Sequence, residues 1–115
     1  GVRADFYLKT HHHHDYPTAP KPEDLVWPLS EVPPYFDKHP DETAAFMATV
    51  EKPWIAFKTM ASGSILPESA FEYVLNNGAD FVFTGMFDYE IAHNVEVTKN
   101  LLASGLPKRS RPWRA

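Results

Sequence analysis

Phe6-Tyr7-Leu8-Lys9-Thr10 and Trp54-Ile55-Ala56-Phe57-Lys58-Thr59 are near-copies of each other. Each is a run of apolar and aromatic residues that closes on Lys-Thr. Runs this apolar suit strands covered on both faces, as in a parallel sheet flanked by helices. Lysine is almost never fully buried without a partner, so the end of each run is expected to open into a pocket. Open α/β sheets bind their ligands at the carboxyl ends of the strands, which makes Lys9 and Lys58 the first candidate site residues.

Outward from these runs the chain reads as three strand-then-helix units. The first strand, about 4–10, leads into a connection from 11 to 40 that holds seven of the eleven prolines and excludes a regular helix or central strand. Trp27, Tyr35 and Phe36 lie within it, so it reads as a packed lid: disordered linkers are poor in aromatics. A helix is expected over 41–50, with Asp41 as N-cap and Phe46, Met47 and Val50 on one face. The second strand, about 54–60, passes through Ala61-Ser62-Gly63-Ser64-Ile65 to a helix that begins near Pro67 and closes at Asn77-Gly78. A third strand, about 79–85, precedes a helix marked by Ile91, Ala92, Val95, Leu101 and Leu102 that stops at Gly105. Residues 1–105 thus form one α/β domain, and 106–115 a basic, proline-interrupted tail.

Composition narrows the class. With 115 residues and 43% hydrophobic content the chain can hold one modest core. A net charge of −4 gives no electrostatic case for nucleic acid. No apolar run approaches the ~20 residues of a membrane span. The absence of cysteine removes disulfides and thiolate metal sites. Without an initiator methionine, the chain is expected to begin partway through a longer product whose compartment the sequence does not specify.

Strand alternation sets Tyr7, Lys9, Trp54, Ala56, Lys58, Val82 and Thr84 on one face, and Phe6, Leu8, Ile55, Phe57, Phe81 and Phe83 on the other. The bulkier second face is expected to meet the helices and the more mixed face to line a pocket. A closed (β/α)8 TIM barrel produces that contrast, and three units would be its last three.

Ala61-Ser62-Gly63-Ser64-Ile65 followed by Gly78-Ala79-Asp80-Phe81-Val82-Phe83-Thr84-Gly85 resembles the seventh and eighth βα units of phosphate-binding (β/α)8 barrels. In those families backbone amides hold a phosphate beside a helix N-terminus. The resemblance implies Ser62, Gly63, Ser64, Gly85 and Met86 as the anion-binding set. Ser64 stands where the families have a second glycine and Met86 where they have a small residue, and the same glycines also serve tight turns. On that alignment the first strand is strand six, and Ala4-Asp5-Phe6-Tyr7-Leu8-Lys9-Thr10 resembles the strand-six segment of the deoxyribose-phosphate aldolase family of class I aldolases. That implies a Schiff-base role for Lys9, with Lys58 the counterpart of a second lysine on strand seven. Lys58 stands two residues further from Ala61-Ser62-Gly63 than in the family, roughly 6–7 Å deeper along the strand.

The lysine pair has its own chemistry. Neighbouring strands lie ~4.8 Å apart, and two amines on one face suppress each other's protonation, which favours the nucleophilic neutral form. Anion binding by the cations and structural pairing with carboxylates are the other uses of such lysines. The run His11-His12-His13-His14 follows Lys9 at the same strand end, and in extended chain His11 and His13 share the lysine face. With Asp15 they are candidate ligands for a divalent metal; packing and hydrogen bonding are the other role for loop histidines. His39 and His93 carry no pattern. The leading expectation is therefore a barrel enzyme acting on a small carbonyl or phosphorylated, sugar-like compound, by an aldolase or lyase step that requires no cofactor. The alternatives are a metal-dependent isomerase or hydrolase using His11, His13 and Asp15, and a non-catalytic, anion-binding fragment that self-associates or joins further barrel units.

Overall fold

A computed structural model describes residues 2–26 and 36–105, so Trp27, Tyr35 and the basic tail lie outside the described residues. The element order is β1 (Tyr7–Thr10), α1 (Pro40–Ala48), β2 (Trp54–Phe57), α2 (Pro67–Asn76), β3 (Phe81–Phe83) and α3 (Ile91–Ala103). Short 3-10 turns cover Pro22–Val26 and Asp88–Glu90. The strands form one parallel sheet in the order β1-β2-β3, with Tyr7 opposite Trp54 and Ile55 opposite Phe81. This is the expected α/β class, order and polarity. Three strands with helices are common to many α/β folds, so they do not distinguish a barrel from an open sheet.

Local sequence explains where each element stops. β2 ends because Lys58 takes a left-handed conformation (φ 53°), and Ala61, Ser62 and Gly63 follow at φ 45°, 57° and 83°. Pro40 and Pro67 occupy the first turns of α1 and α2, where a missing N–H costs nothing. α1 therefore starts ahead of the expected cap: His39 is the N-cap residue, and Asp41 lies inside the first turn. α2 closes in a Schellman turn, in which Gly78 (φ 108°) donates to the Leu75 carbonyl and Ala79 to that of Val74. Asp80 then clamps the start of β2. Its N–H donates to the Trp54 carbonyl (2.9 Å), and its Oδ2 accepts from the Trp54 N–H (2.8 Å).

The two sides of the sheet are the reverse of the expectation. Trp54 and Ala56 are fully buried in a cluster with Met47, Val74, Leu75 and Ala79, and Val82 packs against it. The face shared by Tyr7, Lys9, Trp54, Ala56 and Val82 is thus the helix-covered one. Phe6, Leu8, Phe81 and Phe83 remain 52%, 48%, 47% and 56% exposed. The physical reason is fit: a small Ala56 beside one large Trp54 lets helices approach closely, whereas a continuous aromatic face holds them off. A second cluster of Ala61, Ile65, Ala70, Phe71 and Val97 joins α2 to α3 and to the loop after β2.

Candidate functional site

Two groups of polar side chains gather at the carboxyl end of the sheet. The first is built on the histidine run. Continuing β1, His11 donates its N–H to the Phe57 carbonyl (3.1 Å), and its ring is fully buried on the helix side, 5.2 Å from Trp54 and stacked at 5.0 Å on Tyr73. His11 Nδ1–H donates to Asp37 Oδ2 at 2.9 Å, and the Thr43 hydroxyl donates to Asp37 Oδ1 at 2.8 Å. Burial pushes the Asp37 carboxyl up, but these two hydrogen bonds and the nearby charges of His11 and Lys9 outweigh it and hold the group below its ordinary range.

Backbone partners dictate the other rings' tautomers. His12 Nε2 accepts from the Asp37 N–H (3.0 Å), so its proton is on Nδ1, which donates to the His13 carbonyl (2.9 Å). His13 Nδ1 accepts from the Asp15 N–H (3.0 Å), leaving Nε2–H to donate to the Ser69 hydroxyl on α2 (2.8 Å). His14 Nε2–H donates to the Asp37 carbonyl (2.7 Å). Three of the four rings therefore hold one residue, Asp37, at the end of the proline-rich connection. Burial lowers the pKa of His12, partly offset by its hydrogen bond to His13 and by Asp37; burial likewise lowers that of His13, with Asp15 opposing.

His11, His13 and Asp15 do not converge on a common point: His11 bonds Asp37, and both ring nitrogens of His13 are engaged. Among the described residues no three His, Asp or Glu side chains are arranged to hold a metal ion.

The second group lines a cleft of about 560 Å³ at the carboxyl ends of β2 and β3. It gathers Lys58, Ser62, Gly63, Gly85 and Met86 from the expected set and adds Thr59 and Glu90; Ser64 is not among its walls. Leu66 and Pro67, the start of α2, form one side, so the positive end of that helix's dipole borders the cleft. Ala61, Ser62 and Gly63 take positive φ in succession, and the tight turn they make is closed from within, the Ala61 N–H donating to the Lys58 carbonyl (3.1 Å) and the Ser64 N–H to that of Ala61 (3.3 Å). Thr59 is fully buried, and its hydroxyl has no hydrogen-bond partner among the described residues. Glu90 is committed elsewhere through Oε2, which accepts from the Phe87 N–H (2.8 Å).

The two lysines part company. Lys9 lines a separate, shallow cleft on the helix side with Asp37, Thr43 and Phe46. The left-handed turn at Lys58 breaks strand alternation, and its ammonium lies 4.3 Å from the centre of the Phe36 ring. A cation over an aromatic face is worth roughly 0.5–1 kcal/mol at an exposed site, so this contact ties Phe36 lightly to Lys58.

Sequence reasoning missed Asp37, Thr43, Tyr73 and Thr59. Asp37 carries no motif in a loop of prolines. Thr59 was visible only as the residue after Lys58. No protein family matches this chain, and neither a curated protein nor a solved structure resembles it. Among the described residues no helix is long and apolar enough to cross a membrane.

Proposed function

We propose that this chain forms the anion-holding part of a barrel-type α/β enzyme acting on a small phosphorylated carbonyl compound. The observation that carries the reading is the cleft that collects Lys58, Ser62, Gly63 and Gly85 beside the start of α2, with Thr59, whose buried hydroxyl has no partner among the described residues, as one of its lining residues. A buried, unpaired hydroxyl costs roughly 1–3 kcal/mol, a penalty that a bound oxyanion would remove by accepting its proton once the Thr59 side chain turns toward the cleft. The cleft size also suits a compound of a few carbons.

Lysine chemistry in this reading falls to Lys58, because Lys9 faces a different cleft. In the carbonyl step the Lys58 amine, after giving up a proton, would attack the carbonyl carbon and expel water, leaving an imine. Titration with inorganic phosphate, followed by amide NMR, tests the anion step. The amides of Thr59, Ser62, Gly63 and Gly85 should shift together, and Lys58→Ala should weaken the effect. Borohydride reduction in the presence of a three-carbon phosphorylated aldehyde tests the second step, with the adduct expected on Lys58. Phosphate that leaves those four amides unmoved would refute the anion site itself, and an adduct on Lys9 would refute the assignment of the amine.

A further inference from the structure

Among the described residues β1 and β3 are both edge strands, and the residues whose backbone faces outward follow from the pairing. Tyr7 and His11 donate to β2, so in β1 the N–H and C=O groups of Leu8 and Thr10 point away from it. Asp80 donates to Trp54, so in β3 those of Phe81 and Phe83 point outward. Among the described residues each edge thus offers a short row of unpaired groups, and both rows run in the same direction.

The layers beside the two edges are complementary. Beyond β3, α3 overhangs an apolar groove of about 400 Å³. Phe71, Leu75 and Val82 form its floor, and Val95, Thr98 and Leu102, spaced along one stripe of α3, form its roof. Val95 and Leu102 are 46% and 59% exposed. That groove has a helix and lacks a strand. At the other edge, Tyr7 lies on the helix-side face yet stays exposed, so β1 is a strand with little helix cover. The open aromatic face offers a rival mode of association. Phe6, Leu8, Phe81 and Phe83 are each about half exposed on that face and Ile55 and Phe57 are half-buried, and packing through it would be left intact by Leu102→Glu and Tyr7→Glu.

The geometry points to head-to-tail self-association, in which β1 of a second copy adds as a fourth parallel strand to the free edge of β3 and sets its Tyr7 in the groove under α3. Leu8 and Thr10 of the incoming strand exchange backbone hydrogen bonds with Phe81 and Phe83, the mode by which sheet edges accept extended segments. Phe6 and Leu8 of that copy then extend the aromatic face of the first. The contact is heterologous, so every open oligomer retains one free edge of each kind until a ring closes.

Light scattering after size exclusion, from low micromolar to near-millimolar chain, tests this. The wild type should associate with rising concentration. Phe83→Pro removes an outward N–H of β3, and Leu8→Pro removes one of β1; neither N–H bonds β2. Each variant alone should lose self-association by roughly tenfold or more. An equimolar mixture of the two should form a one-to-one complex, because each retains the edge that the other lacks. Leu102→Glu in the groove and Tyr7→Glu on the strand form a second such pair that leaves the backbone untouched, should a proline variant lose its circular dichroism signal. A wild type that stays monomeric throughout, edge variants that associate as well as the wild type, or mixtures that give no one-to-one complex would each overturn the assignment.

Discussion

Replacing Thr59 by valine should stabilise the protein while weakening its hold on an anion. Valine keeps the shape of threonine and exchanges the hydroxyl for a methyl group. Thr59 is fully buried and its Oγ1 lacks a partner among the described residues, so the folded state bears a desolvation cost of roughly 1–3 kcal/mol that valine removes. At ~4–8 °C per kcal/mol for a domain of this size, the melting temperature should rise by several degrees. Phosphate affinity should fall by roughly tenfold, the worth of one charge-assisted hydrogen bond. Thr59→Ser is the control, since it keeps the hydroxyl, loses the methyl, and should bind phosphate while melting lower. Calorimetric melting with and without phosphate reads both effects, and phosphate should raise the wild-type melting temperature more than that of the valine variant. If Thr59→Val melts lower than the wild type, the hydroxyl is satisfied in solution and the penalty on which the anion site rests does not exist.

Stability should depend on pH through His12 and His13. Both pKa values are lowered from 6.5 in the fold, so the unfolded chain takes up protons first, and stability present above about pH 6.5 should be lost as pH falls below it. Asp37, lowered from 3.8, should add a second loss below that value; urea midpoints between pH 8 and 3, run as a series at roughly half-unit steps, would show both, and a flat profile from 8 to 5 would contradict the tautomers assigned to His12 and His13. Asp37→Ala should cost about 3–5 kcal/mol, since it strands the His11 Nδ1–H and the Thr43 hydroxyl in a buried setting, whereas Asp37→Asn should cost less because the Thr43 hydroxyl can rotate to accept from the new amide. Glu68→Gln, which removes the partner of His93 at 2.7 Å, should change stability by under about 0.5 kcal/mol, because both side chains are more than half exposed.

The parallel order of β1, β2 and β3 was legible because two apolar runs, a Pro-initiated helix and an Asn-Gly stop are local signals that tertiary packing had no reason to override. So was the loop after β2. Consecutive small residues at 61–63 permit the left-handed turns that gather Lys58, Ser62, Gly63, Gly85 and Met86 around one cleft. The sidedness of the sheet was not legible, because period-two alternation sorts residues into two sets without saying which set meets the helices. Bulk suggested the phenylalanines, but helix contact depends on how closely two backbones approach, and Ala56 admits what a row of phenylalanines excludes. The same alternation stops at Lys58, where a positive φ ends the strand, and Lys58 lines a different cleft from Lys9. The histidine run shows a different limit. Four identical residues carry no spacing information, so their partners came from elsewhere in the chain: Asp37, Ser69 and backbone groups that only the fold brings near. What four rings on one strand end supply is a set of donors and acceptors that need no charge, and that is what a loop rich in proline, poor in backbone N–H groups of its own, requires to be held against a sheet.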